Sequence, residues 1–321
     1  MAVDLSNLLR RSGDLEAAVR WHVNNYLTSH PWLLNLLGAR LTVFDVFGGL
    51  GDTLLTAVVC RRLKLKYPRI RLNLLTPNPE LVRHDPNVDE INQPESYVCL
   101  WVSYLDHIER KDGESHVLSP TFQRLRIQID DYRARVYLSE QEMEEGRSLV
   151  GSSVHPVLAF NTLSKEPVKN WPLELWLELI EKLRGHFELV HLGNEKEPLI
   201  PSARRFAGRL SPRQTMAVLK QARFYVGPDS FLMHAANGLD VPSVIIFGGS
   251  RTPKNTGYCQ NTNLFVKMPC GPCWIHENRG EHCAYNLECL WRISASEVCA
   301  AIMQLYLVRP LENESEKALR H

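Results

Sequence analysis

A glycine-rich loop with one carboxylate follows the first predicted strand of the chain. Gly48, Gly49 and Gly51 separate a short apolar run from a helical stretch, and Asp52 lies at the start of that stretch. Glycines in such a turn leave backbone N–H groups free to face an anion or a closely fitting substrate. The positive end of the helix dipole favours an ionised Asp52, so this carboxylate could act as a general base. The alternative is that Asp52 only caps the helix.

The spacing of these glycines argues against one common class of nucleotide-binding enzyme. A nicotinamide dehydrogenase would have G-x-G-x-x-G here and an acidic residue at the end of the second strand. This chain has Leu74, Leu75, Thr76 and Pro77 in that region. We therefore do not expect a nicotinamide cofactor.

Two segments in the second half have the residue types that bind a diphosphate. The loop over residues 161–172 contains hydroxyls, amides and lysines, among them Thr162 and Lys169. The alternative for this loop is an exposed turn with ordinary surface lysines. A glycine turn at Gly248 and Gly249 follows a later strand and is expected at the same edge of the sheet.

The second segment opens a helix with Asp229 and Ser230, and His234 follows one turn later. Backbone N–H groups at the start of this helix, with Ser230 and His234 on one face, suit a pyrophosphate. The alternative makes Asp229 or Ser230 an N-cap and His234 a core histidine whose hydrogen bonds are satisfied.

A cluster of cysteines predicts a structural metal site. The spacing is C-x2-C-x9-C-x5-C, at Cys270, Cys273, Cys283 and Cys289. Four thiolates at these spacings can surround one ion, and zinc and iron accept the same ligand set. We favour metal over free thiols or a disulfide, because a cytosolic chain seldom keeps disulfides. His276 and His282 are alternative ligands, and the remaining cysteines are interpreted as buried or isolated: Cys60, Cys99, Cys259 and Cys299.

The elements that must hold these residues alternate between strands and helices, the pattern of a parallel α/β sheet. An amphipathic helix is expected to lead the chain, capped by Asp14. Strands are predicted over 41–47, 70–75, 97–102, 136–138, 157–160, 187–192, 224–226 and 244–247. Helices are predicted over 53–66, 172–184 and 230–238 and from Ser139, Ser211 and Ser294.

The length of the chain predicts the number of domains, and its charge balance argues against some classes of partner. A chain of 321 residues exceeds one usual core, so we expect two Rossmann-like domains over 41–153 and 154–310. A helical segment over 1–40 precedes them, and a charged tail over 311–321 follows. Thirty-seven basic residues balance 36 acidic ones, which argues against nucleic acid as a partner. We expect no signal peptide, no transmembrane segment and a cytoplasmic location.

Five segments in the same order resemble glycosyltransferase family 9, the ADP-heptose heptosyltransferases of the GT-B fold. The resemblance covers about residues 41–305 and implies two Rossmann-like domains that face a central cleft, the first for the acceptor and the second for the nucleotide-sugar donor. It rests on Gly48-Gly49-Leu50-Gly51-Asp52 with Leu54 and Leu55, Lys169-Asn170-Trp171-Pro172, Leu192-Gly193-Asn194-Glu195, Gly227-Pro228-Asp229-Ser230 with His234, and the glycine turn through Tyr258.

The resemblance also implies roles for individual residues. The aspartate matching Asp52 is the base for the acceptor hydroxyl, the lysine matching Lys169 neutralises the donor phosphates, and the acid matching Glu195 lies near the nucleotide ribose. The implied donor-binding residues are Gly51, Thr162, Lys169, Glu195, Asp229, Ser230, His234, Gly248 and Gly249. The cysteine cluster is comparable to one in several members, including those resembling autotransporter heptosyltransferases.

The implied reaction is inverting transfer of heptose from ADP-heptose to lipopolysaccharide core or to a protein Ser or Thr, without a catalytic divalent metal. A homo-oligomer and peripheral attachment to the inner membrane are compatible with it. Phe231 stands where such enzymes have a small residue, and the loop over 162–169 is longer than usual, which leaves the sugar open. The alternatives are a catalytically silent sugar-nucleotide-binding or assembly protein and a GT-B enzyme that uses another nucleotide sugar.

Overall fold

The computed structural model describes residues 5–275 and 282–308. His276 and the predicted tail lie outside these residues. The elements up to residue 150 are α1 (Leu5–Ser29), α2 (Pro31–Leu37), β1 (Arg40–Asp45), α3 (Leu50–Lys66), β2 (Arg71–Leu75), β3 (Glu90–Ile91), β4 (Cys99–Val102), α4 (Leu105–Arg110), α5 (Ser119–Arg124) and α6 (Glu140–Val150).

The later elements begin with a strand that opens a second sheet. They are β5 (Val157–Phe160), α7 (Leu173–Leu183), β6 (Glu188–His191), β7 (Arg204–Arg205), α8 (Pro212–Lys220), β8 (Phe224–Pro228), α9 (Phe231–Gly238), β9 (Ser243–Phe247), α10 (Pro253–Thr256), β10 (Thr262–Phe265), α11 (Glu288–Trp291) and α12 (Ala295–Val308). Short 3-10 turns lie at Pro79–Val82 and Pro167–Lys169.

The chain divides into two compact units. The first contains the residues up to Tyr104 together with Leu118–Tyr132, and the second contains Leu105–Val117 and the chain from Arg133 onward. Helix α6 belongs to the second unit, although we predicted a domain boundary after it. Its Gly146 lies so close to α8 that an added Cβ would be 2.4 Å from the carbonyl oxygen of Ala217.

The first unit is built on a parallel sheet with the order β3-β2-β1-β4. Val43 of β1 and Leu63 of α3 are fully buried, as expected where a helix covers a parallel sheet. In α1, Asn24 accepts a hydrogen bond from the backbone N–H of Cys99, at 2.7 Å. Helix α1 therefore satisfies a backbone donor of the edge strand β4.

The second unit has a six-stranded parallel sheet with the order β10-β9-β8-β5-β6-β7. Trp176 of α7 and Ile302 of α12 are fully buried in its core. The indole N–H of Trp171 donates to the carbonyl of Ile293, at 2.9 Å, and so ties the loop after β5 to this core. Because β5, β8 and β9 are neighbours, the loops that follow them meet at one edge of the sheet.

Most predicted elements are present, but several details differ, and the short elements β3, β7, β10, α4, α5, α10 and α11 were not predicted. Helix α1 begins at Leu5 rather than after Asp14, and α2 was not predicted. The strand predicted over 136–138 was wrong, because Val136 donates its N–H to the carbonyl of Gly238 at the end of α9, at 3.2 Å, and pairs with no strand. The nearby Arg135 binds Asp240, at 3.0 Å.

Within residues 5–275 and 282–308, no helix is both long enough and apolar enough to cross a bilayer.

Candidate functional site

The glycine loop of the first unit is held by Asp45, the last residue of β1. One carboxylate oxygen of Asp45 accepts the N–H of Gly48, at 3.0 Å. The other accepts the hydroxyls of Thr53, at 2.6 Å, and Thr76, at 2.9 Å. Gly48 has a φ of +66°, and an added Cβ would be 2.9 Å from Cγ of Pro77, so the loop needs glycine there.

Asp52 lies in the first turn of α3 with both oxygens bound. Its Oδ2 accepts the N–H of Gly49, at 3.1 Å, so Asp52 does cap the helix. Its Oδ1 accepts the hydroxyl of Tyr104, whose ring stacks on Phe47 with centroids 4.1 Å apart. Each carboxylate oxygen has two lone pairs, so capping and proton abstraction are compatible roles.

Lys169 and Asp229 form a buried ion pair in the second unit. Lys169 Nζ is 2.9 Å from Asp229 Oδ2, and the two side chains are 13% and 5% exposed. Thr256 donates its hydroxyl to the other oxygen of Asp229, at 3.1 Å. Burial alone would raise the pKa of Asp229, but the charges of Lys169, Arg251 and other neighbours lower it to about 2. Asp229 is therefore ionised at neutral pH.

His234 belongs to the same cluster as a neutral group. Its Nδ1 is 2.7 Å from the hydroxyl of Tyr258. Burial lowers the pKa of His234 to about 4, although Asp229 acts in the opposite direction. Nearby, burial lowers the pKa of His116 to about 3, with the charge of His234 as the next cause. His234 can thus supply a hydrogen bond, but no positive charge, at neutral pH.

The remaining predicted residues of the second unit have different environments. Thr162 is buried and donates both its N–H and its hydroxyl to Glu197, at 2.9 and 2.6 Å. Glu195 is exposed. Ser230 is the N-cap of α9 by position, but its hydroxyl makes no capping hydrogen bond. Gly248 packs close to the carbonyl of Val168, where an added Cβ would be 3.0 Å away.

The turn at Gly249 adjoins the cysteine segment. The N–H of Gly249 donates to Sγ of Cys289, at 3.1 Å, and its carbonyl accepts the N–H of Cys273, at 3.0 Å. The N–H of Leu287 donates to Sγ of Cys283, at 3.4 Å. Burial raises the pKa of the Cys273 and Cys289 thiols, and the neighbouring cysteines of the set raise it further.

The metal site itself stays a prediction. Among the residues that the structure describes, no group of three or more His, Cys, Asp or Glu side chains is arranged to hold a metal ion. His282 is exposed, and the alternative ligand His276 lies outside the described residues.

Several residues of these clusters were not predicted from the sequence. Position relative to the strand ends could have drawn attention to most of them, since functional groups collect at the carboxyl ends of parallel strands. Asp45 ends β1, Tyr104 follows β4 by two residues, and Arg251 follows the glycine turn after β9. The others are Glu166 and the buried Glu197, which only the tertiary structure distinguishes from surface acids.

Comparison with known proteins identifies a family for this arrangement. The family model described as glycosyltransferase family 9 (heptosyltransferase) matches residues 106–284. Lipopolysaccharide heptosyltransferase 1 of Pseudomonas aeruginosa is 33% identical over 138 residues. That match covers 37% of this chain and 36% of the relative, so it spans about a third of the relative's length.

Solved structures share the fold at low sequence identity. A glycosyl transferase family 9 protein from Veillonella parvula has a TM-score of 0.63 and 16% identity, covering 84% of this chain and 97% of its own. TibC from enterotoxigenic E. coli H10407, described as an iron-containing dodecameric glycosyltransferase, has a TM-score of 0.66 and 20% identity, covering 84% and 76%. TibC has also been solved with ADP-D-beta-D-heptose.

Proposed function

The chain belongs to glycosyltransferase family 9, and we propose that it transfers heptose from ADP-heptose to an acceptor hydroxyl with inversion. The observation that carries this proposal is the family match over residues 106–284, a range that contains Lys169, Asp229 and His234. The TibC complex with ADP-D-beta-D-heptose supports the choice of donor.

In this proposal the donor binds at the edge of the second sheet. Lys169 neutralises the diphosphate, and the buried Asp229 holds Lys169 in place through the 2.9 Å ion pair. Charge stabilisation of a departing diphosphate is the main contribution that such a site can make. Ser230 and the neutral His234 add hydrogen bonds, and Glu195 contacts the ribose. Thr162, Gly248 and Gly249 are further proposed donor-binding residues of this unit, and Gly51 of the first unit stays a predicted donor-binding residue.

Asp52 is the proposed base for the acceptor. It takes the proton of the acceptor hydroxyl as the hydroxyl oxygen attacks the anomeric carbon, and the electron pair of the broken bond leaves with ADP. Gly49 and Tyr104 bind the two oxygens of Asp52 and so limit its rotation. Inverting transfer needs a base for the acceptor and stabilisation of the departing diphosphate, and the residues proposed for these two roles belong to different units of the chain.

Donor turnover by purified protein tests this function. With ADP-heptose and acceptor, wild type is expected to release ADP and to add one heptose mass to the acceptor. Asp52→Asn removes the base and should lower kcat about a thousandfold, whereas Asp130→Asn, at a side chain that is 97% exposed, should not. Donor binding without any transfer by wild type would instead support the catalytically silent binding protein, and isomerisation of the donor without transfer would support a different activity on a nucleotide sugar.

We propose lipopolysaccharide core as the first acceptor to test, because the relative that is 33% identical is a lipopolysaccharide heptosyltransferase. A protein Ser or Thr is the second. Parallel assays with lipopolysaccharide core and with co-expressed candidate proteins, read by intact mass, separate the two. Heptose added only to a protein would overturn the first choice.

We further propose that Cys270, Cys273, Cys283 and Cys289 hold a structural zinc or iron ion. Four thiolates are a sufficient ligand set for either metal. Backbone N–H groups already donate to Cys283 and Cys289, the kind of hydrogen bonding that supports metal-bound thiolates. The description of TibC as iron-containing favours iron among the candidates.

Metal analysis of purified protein tests the cysteine site. About one equivalent of zinc plus iron is expected, and visible absorption would identify iron. Cys270→Ser should lower both the metal content and the thermal stability, whereas Cys259→Ser, at an exposed cysteine outside the set, should leave both unchanged. Less than about half an equivalent in wild type would contradict the proposal.

Assembly and location complete the proposal. The dodecameric TibC supports a homo-oligomer, which light scattering after size-exclusion chromatography would detect, and a monomer at assay concentration would contradict it. We propose cytoplasmic action with peripheral attachment to the inner membrane, where ADP-heptose and lipopolysaccharide core would meet. Cell fractionation tests this location.

A further inference from the structure

Arg251 is a buried cation next to the Lys169 and Asp229 pair. It is 7% exposed, and its Nη1 is 2.7 Å from Oε2 of Glu166. Its guanidinium also lies over the ring of Trp274, 4.7 Å from the centroid. Stacking on one side and an ion pair on the other hold Arg251 in one orientation.

Glu166 interacts with both cations of this cluster. Its Oε2 is 2.7 Å from Arg251 and 3.6 Å from Lys169, while Asp229 is 2.9 Å from Lys169. The two cations and two carboxylates balance in charge. In this arrangement, each cation is compensated by carboxylates of the chain itself.

The two carboxylates differ in how firmly they are held. Asp229 is 5% exposed at its side chain and accepts the hydroxyl of Thr256, at 3.1 Å, at the end of a buried strand. Glu166 is 23% exposed at its side chain and belongs to the loop after β5. Glu166 is therefore the carboxylate that can move away at low cost, because water can solvate it.

We propose that Arg251 is a second diphosphate ligand, and that Glu166 occupies the position between Arg251 and Lys169 until the diphosphate replaces it. This inference rests on the proposed donor site at Lys169. The planar guanidinium offers two parallel N–H groups to phosphate oxygens, as it does to a carboxylate. Exchange of one anion for another keeps the two buried cations compensated in both states.

Replacement of Glu166 by a diphosphate predicts that variants of Arg251 and of Glu166 change ADP binding in opposite directions. Arg251→Gln should weaken ADP binding about 10- to 100-fold, the usual size of one lost charge-assisted contact. Glu166→Gln should strengthen ADP binding about 3- to 10-fold, because no carboxylate must be displaced and the site gains positive charge. Arg251→Lys retains the charge but not the two parallel N–H groups, so its affinity for ADP should lie between those of wild type and Arg251→Gln.

Isothermal titration of the full chain with ADP, AMP and adenosine measures these effects. The change at Arg251 should be largest for ADP and absent for adenosine, because only the diphosphate reaches the second cation. Arg147→Gln and Glu144→Gln alter an exposed ion pair on α6 and serve as matched controls. Thermal unfolding of each variant identifies losses of binding that come from misfolding, and the gain in Glu166→Gln cannot arise from misfolding.

The outcomes separate this inference from the proposed function. Suppose that wild type binds ADP and that either Arg251→Gln binds it equally well or Glu166→Gln binds it more weakly. Either result would overturn the inference but would not contradict the proposed donor site. Wild type that does not bind ADP would overturn the proposed donor site and the inference with it.

Discussion

The two proposed reactive regions differ in the groups that surround their charged side chains. In the first unit, Asp52 receives hydrogen bonds from uncharged donors, the N–H of Gly49 and the hydroxyl of Tyr104. In the second unit, Lys169 and Asp229 form a buried pair, and Arg251 lies close enough to lower the pKa of Asp229. One region holds a carboxylate with hydrogen bonds from uncharged donors, and the other brings several opposite charges together.

This difference fits the role proposed for each region. A base must keep a lone pair with enough basicity to accept a proton, so neutral donors are suitable partners. A diphosphate ligand must keep positive charge out of bulk water, where charge interactions are weak. Buried cations need counter-ions to remain charged, and Asp229 and Glu166 meet that need.

The largest expected effect is at the ion pair of the second unit. Lys169→Ala should lower kcat/KM about a thousandfold, or about 4 kcal/mol of transition-state stabilisation. It should also destabilise the fold by about 3–5 kcal/mol, because Asp229 would lose its closest cation. Steady-state kinetics and urea unfolding measure the two effects.

The control for that variant is Lys182→Ala, at an exposed ion pair with Glu178 on α7. It should change neither quantity appreciably. If Lys169→Ala lowered kcat/KM by less than tenfold, the proposed phosphate-binding role of the second unit would be contradicted.

The next effect is a pH dependence specific to the second unit. Buried His116 and His234 have pKa values lowered to about 3 and about 4, whereas an unfolded histidine has a pKa near 6.5. Between about pH 6.5 and 4 the unfolded chain therefore binds protons that the folded chain does not, and stability must fall as the pH falls through that window. At pH 5 the loss should be about 2 kcal/mol for each histidine.

Urea unfolding at pH 7 and pH 5, followed by amide hydrogen exchange within each unit, checks this expectation. His116→Gln should remove about half of the pH-dependent loss in the second unit, whereas His155→Gln, at an exposed histidine, should remove none. An unchanged loss in His116→Gln would contradict the burial argument.

A smaller effect is expected at the carboxylate of the first unit. Tyr104→Phe removes the hydroxyl that binds Asp52 but keeps the ring that stacks on Phe47. We expect kcat to fall about tenfold with the donor KM unchanged, because Asp52 loses orientation while the donor site is untouched.

A double-mutant cycle separates positioning from general damage to the fold. In the Asp52→Asn background, Tyr104→Phe should have almost no further effect, because the group that it orients is already gone. Additive losses in the double variant would show that Tyr104 acts independently of Asp52.

Local sequence patterns predicted the alternation of elements and the position of most candidate residues. Capping boxes at Ser139 and Ser294 were recognisable because Glu follows three residues later, and both form in the structure. Four candidate residues could be predicted because each lies close to a strand end or a helix start: Asp52, Lys169, Asp229 and His234. The family match then confirmed the relationship that those segments had indicated.

Partner residues were harder to predict because they depend on distances between remote segments. Arg251 and Glu166 are 85 residues apart and pair at 2.7 Å, and no local pattern links them. The composition of residues 136–138 predicts a strand, but the N–H of Val136 donates to the carbonyl of Gly238 instead of to a neighbouring strand. Propensity describes a segment alone, whereas pairing depends on which neighbour presents a free carbonyl.

The smallest expected effect compares two glycines with the same positive φ. Gly48, in the loop before Asp52, and Gly151, at the end of α6, both have a φ of +66°, and an alanine at either should be destabilising by about 1 kcal/mol or more. An added Cβ at Gly48 would also meet Cγ of Pro77 at 2.9 Å, whereas nothing lies within 4 Å of one at Gly151. Only Gly48→Ala should therefore lower kcat as well, because the loop that it distorts binds Asp52 through Gly49. Urea unfolding and steady-state kinetics measure the two effects, and an unchanged kcat in Gly48→Ala would mean that Asp52 does not depend on this loop for its orientation.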